Sequence, residues 1–263
     1  MAHCPTCGAA ALPGHRFCTG CGSPLAQAAA ATPPASAAPT GPLAAAVVHV
    51  LAAGERRHPL GDPLIIGRNQ GQVQVPGDSF LSGRHASVQG YGGHYVLRDL
   101  GSRNGTYVRI RETLEMGPGD HVMVGSQVFR LDAGTTPGGA GREGPLPLPA
   151  AATRGLGADA GGGEAPRLVR LLEGGAEAER IPVPRSGLTV GRTRGDLVFP
   201  EDALVSGAHA SFAPAPGSMP GAPRVTVTDL GSRNGVFVRI REDWRLRPGD
   251  VFSAGRQVFR FEG

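Results

Sequence analysis

The sequence predicts an all-β protein made of two tandem copies of one fold, a sandwich or a barrel. Short runs rich in β-branched and aromatic residues recur between Gly, Pro, Asn and Asp. A fourteen-residue segment occurs twice: DLGSRNGTYVRIRE from Asp99 and DLGSRNGVFVRIRE from Asp229, with 12 identities in 14. The third observation is the lack of any apolar pattern that would sustain a helix beyond a turn or two.

Taken in order, residues 1–25 hold all four cysteines, and residues 26–45 form an Ala/Pro-rich linker. Residues 46–132 carry the first strand set: Val47 to Leu51, His94 to Leu97, Thr106 to Val108, His121 to Val124 and Gln127 to Leu131. Residues 133–165 are a second linker, rich in Gly, Pro and Ala. Residues 166–262 repeat the strands, from Leu168 to Leu172 through Gln257 to Phe261. The repeats are offset by 130 residues at the Asp-Leu-Gly-Ser segment and by 124 at Gly67-Arg68 and Gly191-Arg192. An insertion around Ala213 to Ala222 absorbs the difference, and its Pro and Gly content suits an extended hairpin loop. A period this long marks a duplicated domain, since solenoid repeats run about 20–50 residues.

Composition excludes several chemistries. All 26 basic residues are arginine. Without lysine there is no P-loop lysine, no kinase strand lysine and no Schiff base. Positive charge is carried by planar guanidinium groups, which suit a bidentate grip on phosphate or carboxylate. The net charge of +4 is spread thinly; residues 46–132 hold nine arginines against eight acids. No segment has the basic excess that sequence-independent nucleic-acid binding needs. No apolar run reaches the roughly 18–20 residues that span a bilayer, and the start lacks a secretory signal. A cytoplasmic protein without membrane insertion is expected.

Cys4, Cys7, Cys18 and Cys21 form two C-x2-C pairs separated by ten residues. Such turns bring four thiolates to one tetrahedral metal, and an all-cysteine set closes the site, which makes it structural. Two disulfides or four free thiols are the alternatives, and a reducing compartment disfavours the first. The segment resembles the short zinc ribbon at the N-termini of many bacterial proteins. That resemblance implies one structural Zn2+, with Phe17 as a small core residue.

Three further elements return in order in each repeat. Gly67-Arg68 and Gly191-Arg192 come first, then Ser82-Gly83-Arg84-His85 and Ser206-Gly207-Ala208-His209. Ser102 to Thr106 and Ser232 to Val236 complete the set. An Arg fork, a small hydroxyl and loop amides make an anion cradle for one phosphate, and an Asn amide can pair with an extended peptide backbone. The trio resembles the forkhead-associated (FHA) pattern GR…SxxH…NG, with a later L…PGD turn at Leu114…Asp120 and Leu246…Asp250.

The resemblance implies two-sheet sandwiches that bind phosphothreonine peptides through apical loops. By position, Arg68 and Ser82 contact the phosphate, Arg84 adds charge, Asn104 pairs with peptide backbone and Arg103 flanks it. Arg192, Ser206, Arg233 and Asn234 take those places in the second repeat. His85 and His209 are implied to brace the loop. The Val-Arg-Ile-Arg segments read as solvated edge strands.

Ala208 and Val236 stand where the first repeat has Arg84 and Thr106. The first repeat is therefore expected to be the stronger binder. The expected function is a phosphothreonine-dependent adaptor in bacterial Ser/Thr-kinase signalling, with a kinase or its substrates as partners. The alternative is a zinc-ribbon nucleic-acid or transcription-associated protein that uses the sandwiches as scaffolds. Enzymatic activity is not expected, since no nucleophile–base pair has a third member and no metal site is open.

Overall fold

Equivalent segments of the two repeats bury equivalent side chains. Leu64 and Ile66 are buried in one strand, Leu188 and Val190 in its counterpart, with a half-buried residue between each pair. This alternation is what a sheet with one face on a core requires. The structure is a computed structural model and describes residues 47–50, 54–61, 63–132, 165–219 and 222–263.

Twenty strands form among these residues. From the first repeat come β1 (Val47–Val50), β2 (Arg56–Pro59), β3 (Leu64–Gly67), β4 (Val73–Gln74), β5 (Ala86–Tyr91), β6 (His94–Asp99) and β7 (Thr106–Arg109). It continues with β8 (Leu114–Met116), β9 (His121–Val124) and β10 (Gln127–Leu131). The second repeat supplies β11 (Arg167–Leu171), β12 (Glu177–Pro182), β13 (Leu188–Gly191), β14 (Leu197–Val198), β15 (Ala210–Pro214) and β16 (Val225–Asp229). It ends with β17 (Val236–Arg239), β18 (Trp244–Leu246), β19 (Val251–Ala254) and β20 (Gln257–Glu262). One 3-10 turn, Glu173–Gly175, is the sole helical element among the described residues.

The strands build one ten-stranded sheet, β12-β11-β10-β9-β17-β7-β19-β20-β1-β2, and two five-stranded sheets, β14-β13-β15-β16-β8 and β18-β6-β5-β3-β4. Each five-stranded sheet packs on one half of the long sheet, which gives two sandwiches with two cores. The all-β expectation is met, and the insertion in the second repeat lies between paired strands β15 and β16.

The repeats do not close on themselves. In the first sandwich β1 to β7 are joined by β18, β19 and β20 of the second repeat. In the second, β11 to β17 are joined by β8, β9 and β10 of the first. The spans 46–132 and 166–262 thus delimit repeats along the chain, while each sandwich combines parts of both. The cores record the same exchange. Phe252, Phe259 and Phe261 pack with Leu64, Ile66 and Leu97, whereas Phe129 and Leu131 pack with Leu168, Val190 and Phe212.

The crossing point is the centre of the long sheet. There β7 and β17 run antiparallel with Val108 opposite Val238. Beyond them, Ile110 N–H donates to Val236 O and Ile240 N–H to Thr106 O, each at 2.9 Å. The Val-Arg-Ile-Arg segments are therefore central strands, contrary to the edge position expected from their alternation. Alternation reports that one face is buried; it carries no information about how many neighbours a strand has.

The repeats match at the crossing, with 12 identities in 14. The strands beyond it keep one face apolar in both copies although their core side chains differ, as Phe252 and Phe261 do from Val122 and Leu131. The exchange adds the β7–β17 ladder and reciprocal ion pairs. Arg111 Nη2 lies 2.7 Å from Asp250 Oδ1 and donates to Pro248 O. Arg241 Nε lies 2.6 Å from Asp120 Oδ1, and its Nη2 donates to Pro118 O. Arg98 and Asp243 add a bidentate contact between β6 and the loop that precedes β18.

Candidate functional site

The site of the first repeat starts from a glycine. A methyl group on Gly67 would fall far inside contact distance of the carbonyl oxygens of Gly83 and Gln70. Only glycine lets the end of β3 approach the loop between β4 and β5 this closely. That approach lets Arg68 N–H donate to Ser82 O at 2.9 Å, which seats the exposed Arg68 beside the serine.

His85 holds the loop from beneath. Its ring is fully buried; Ser82 N–H donates to Nδ1 at 3.1 Å, so Nδ1 is the unprotonated nitrogen. Nε2 then carries the proton and donates to Gly105 O at 3.0 Å. Burial pushes the His85 pKa below 6.5, outweighing the hydrogen bond to Gly105 and the pull of Asp99. The ring is a neutral strut with both nitrogens used, and it has no lone pair left for base catalysis.

The Asn-Gly loop is tied to the same serine. Arg103 N–H donates to Ser82 Oγ at 3.0 Å, which occupies the hydroxyl oxygen and leaves its proton free to point outward. Asn104 Nδ2 donates to Phe80 O at 2.9 Å, leaving the amide oxygen and the second N–H for another partner. Asp99 anchors the loop by accepting from Ser102 N–H, Ser102 Oγ and Thr106 Oγ1 at 2.6–2.7 Å. Burial raises the Asp99 pKa, but these hydrogen bonds outweigh it and hold the carboxyl below 3.8. Thr106, fully buried, belongs to this anchor and not to the binding surface.

Five sequence-selected residues thus gather on adjoining loops: Arg68, Ser82, Arg84, Arg103 and Asn104. Arg68, Arg84 and Arg103 are exposed. Their guanidinium groups have no carboxylate partner among the described residues, so an anion would meet uncompensated charge.

The second repeat reproduces the frame. Arg192 N–H donates to Ser206 O at 2.8 Å, and Ser206 N–H to His209 Nδ1 at 2.9 Å. Arg233 N–H donates to Ser206 Oγ at 3.0 Å, and Asn234 Nδ2 to Leu204 O at 2.7 Å. Two differences follow from the substitutions. Ala208 brings no charge, and Val236 reaches Asp229 Oδ2 only through its main-chain N–H at 3.2 Å.

A family model for the FHA domain matches residues 64–125 and 188–255. The chain contains two FHA domains. A zinc-ribbon model matches residues 3–25, so a zinc-ribbon domain precedes them. Cys4, Cys7, Cys18 and Cys21 lie outside the described residues. The FHA domain-containing protein FhaB of Mycolicibacterium smegmatis is 33% identical over 72 residues, 26% of this chain and 46% of FhaB. The chain therefore spans about half the length of that relative. The solved structure titled Mycobacterium tuberculosis EmbR in complex with low affinity phosphopeptide is 29% identical, covering 34% of this chain and 24% of EmbR at a TM-score of 0.23. No helix among the described residues is long and apolar enough to cross a membrane.

Several residues of the FHA loops were missed by motif reading. Asp78 accepts from Phe80 N–H, and Asp202 from Leu204 N–H, in the same turn of each repeat. Their shared spacing, four residues before Ser82 and Ser206, was a usable signal. Arg239 was out of reach of the motif. Its guanidinium packs on Gly105 of the first site, and Arg109 packs on Gly235 of the second, both across the exchanged strands.

Proposed function

We propose that this protein is a phosphothreonine-peptide-binding adaptor in Ser/Thr-kinase signalling, with the first FHA domain as the stronger site. The observation that supports this most is the pairing of Arg68 with Ser82. Arg68 N–H donates to Ser82 O, which joins the backbone of an exposed arginine to that of a serine whose Oγ already accepts from Arg103 N–H. In this reading the guanidinium and the hydroxyl are the two donors to a phosphate. Asn104 donates to Phe80 O and keeps its amide oxygen and second N–H, which in this reading pair with an extended peptide backbone. Arg84 gives the first site a charge that Ala208 withholds from the second.

The partners are phosphothreonine-containing proteins, namely a Ser/Thr protein kinase or its substrates, in the cytoplasm. No catalytic role is assigned: the two buried histidines are spent on loop bracing, and neither serine faces a base. Cys4, Cys7, Cys18 and Cys21 hold one structural zinc in this reading, and elemental analysis should find about one zinc per chain.

The test is binding of a phosphothreonine peptide, followed by fluorescence anisotropy, to the full chain and two variants. Arg68→Ala abolishes the tighter binding phase, and Arg192→Ala lowers total binding modestly. Equal losses from both would contradict the ranking. Binding unaffected by either substitution would remove the proposed site.

A further inference from the structure

The strand exchange decides which turn stands beside each phosphopeptide loop. In the first sandwich, the turn between β19 and β20 packs against the Ser82 loop although it belongs to the second repeat. Asp78 Oδ2 accepts from Arg256 N–H at 2.8 Å and from Gln257 Nε2 at 2.9 Å. Gly255 lies against Asp78 and Leu81 with no room for a side chain. Above this seam the Arg256 guanidinium stacks over the Phe80 ring, 4.1 Å from its centroid.

In the second sandwich the equivalent turn, between β9 and β10, comes from the first repeat. Asp202 Oδ2 accepts there from Ser126 N–H at 3.0 Å and from Gln127 Nε2 at 2.9 Å. The frames are alike, but the residue presented differs. The first site receives Arg256, the second Ser126. Two sandwiches closed on their own repeats would present the opposite pairing.

Arg256 is exposed, and no carboxylate among the described residues pairs with its guanidinium. Stacking on Phe80 holds it in place at small entropic cost. The carbonyl of the same Phe80 carries Asn104, the residue assigned to the peptide backbone. The arginine therefore flanks the track that a bound peptide follows, apart from the Arg68–Ser82 phosphate position.

Building on the phosphothreonine reading above, we infer that Arg256, supplied by the second repeat, is a specificity-determining residue of the first site. It selects phosphothreonine peptides that carry an acidic residue near the phosphorylated one. The second site, with Ser126 in this place, shows no such preference.

The test uses full-length protein and two phosphothreonine peptides, one with glutamates flanking the phosphothreonine and one with alanines. Arg192→Ala leaves the first site to report, and Arg68→Ala the second. In the Arg192→Ala background, adding Arg256→Ala weakens the glutamate peptide about fivefold and leaves the alanine peptide unchanged. In the Arg68→Ala background the same substitution has no effect. The Asp78 contact uses the main chain of Arg256 and survives in the variant, so folding is not the readout. Equal weakening of both peptides, or none, overturns the inference while leaving the phosphothreonine reading intact. An effect confined to the Arg68→Ala background overturns it too, since Arg256 would then serve its own repeat. If the unsubstituted protein binds neither peptide, the phosphothreonine reading falls and takes this inference with it.

Discussion

Val108 of the first repeat pairs with Val238 of the second, residues at the same position of the 130-residue repeat. This pairing is the local two-fold axis of the molecule. The ladder continues symmetrically on either side, Tyr107 facing Arg239 and Arg109 facing Phe237. Everything after this point in each repeat crosses to the other sandwich. The two FHA domains are mechanically one body, and each site is braced by the other repeat.

Cutting the chain tests the exchange directly. A specific protease site placed at residue 150, between β10 and β11, should yield two fragments that co-elute from size exclusion without denaturant. Each fragment keeps three strands of the other's sandwich, so separation requires both cores to open. Fragments that part freely after cleavage would mean that the repeats fold separately.

Core substitutions should act on the wrong repeat. Phe129 lies in the first repeat but is fully buried in the second core, 6.1 Å from Phe212 between ring centroids. Phe259 lies in the second repeat and stacks on Phe252 in the first core at 5.1 Å. Each Phe→Ala change should cost about 3–5 kcal/mol. In dilute urea, Phe129→Ala should release peptide first from the site of Arg192, and Phe259→Ala first from the site of Arg68.

Gly67→Ala should abolish phosphopeptide binding at the first site. The added methyl meets main-chain carbonyls of Gly83 and Gln70, which cannot rotate away, at a cost of about 1–3 kcal/mol. Gly77→Ala is the matched control, since nothing lies within 4 Å of the position its methyl would take. Anisotropy titration of both variants separates a local clash from a general effect of removing glycine.

Acid should destabilise the protein through buried His85 and half-buried His121. Burial is the leading cause that holds the His85 pKa below 6.5, and for His121 burial and then Arg239 act in the same direction. Well above 6.5 both folded and unfolded rings are neutral, and these histidines add no pH dependence. As pH falls below 6.5 the unfolded chain takes protons first, so stability drops until the folded rings also titrate. Melting temperature should decline from pH 7 to pH 5, and the His85 ring should titrate below 6.5 by NMR. A protonated ring would set Nδ1–H against Ser82 N–H, so the loop should loosen in the same range.

The sequence by itself determined the all-β class, the duplication, and the residues that meet at each site. Those features are local: a Gly that permits close approach, an Asn-Gly turn, a serine three residues before a histidine. Arg68, Ser82 and Asn104 were legible because each lies in a loop of its own repeat. Arg239 and Arg256 were not, because they reach the first site only after the chain has crossed between sandwiches. With 12 identities in 14, the two segments at the crossing carry no local mark of which core the strands after them will complete. Only the tertiary structure, by pairing Val108 with Val238, decided that Arg256 stands at the first site and Ser126 at the second.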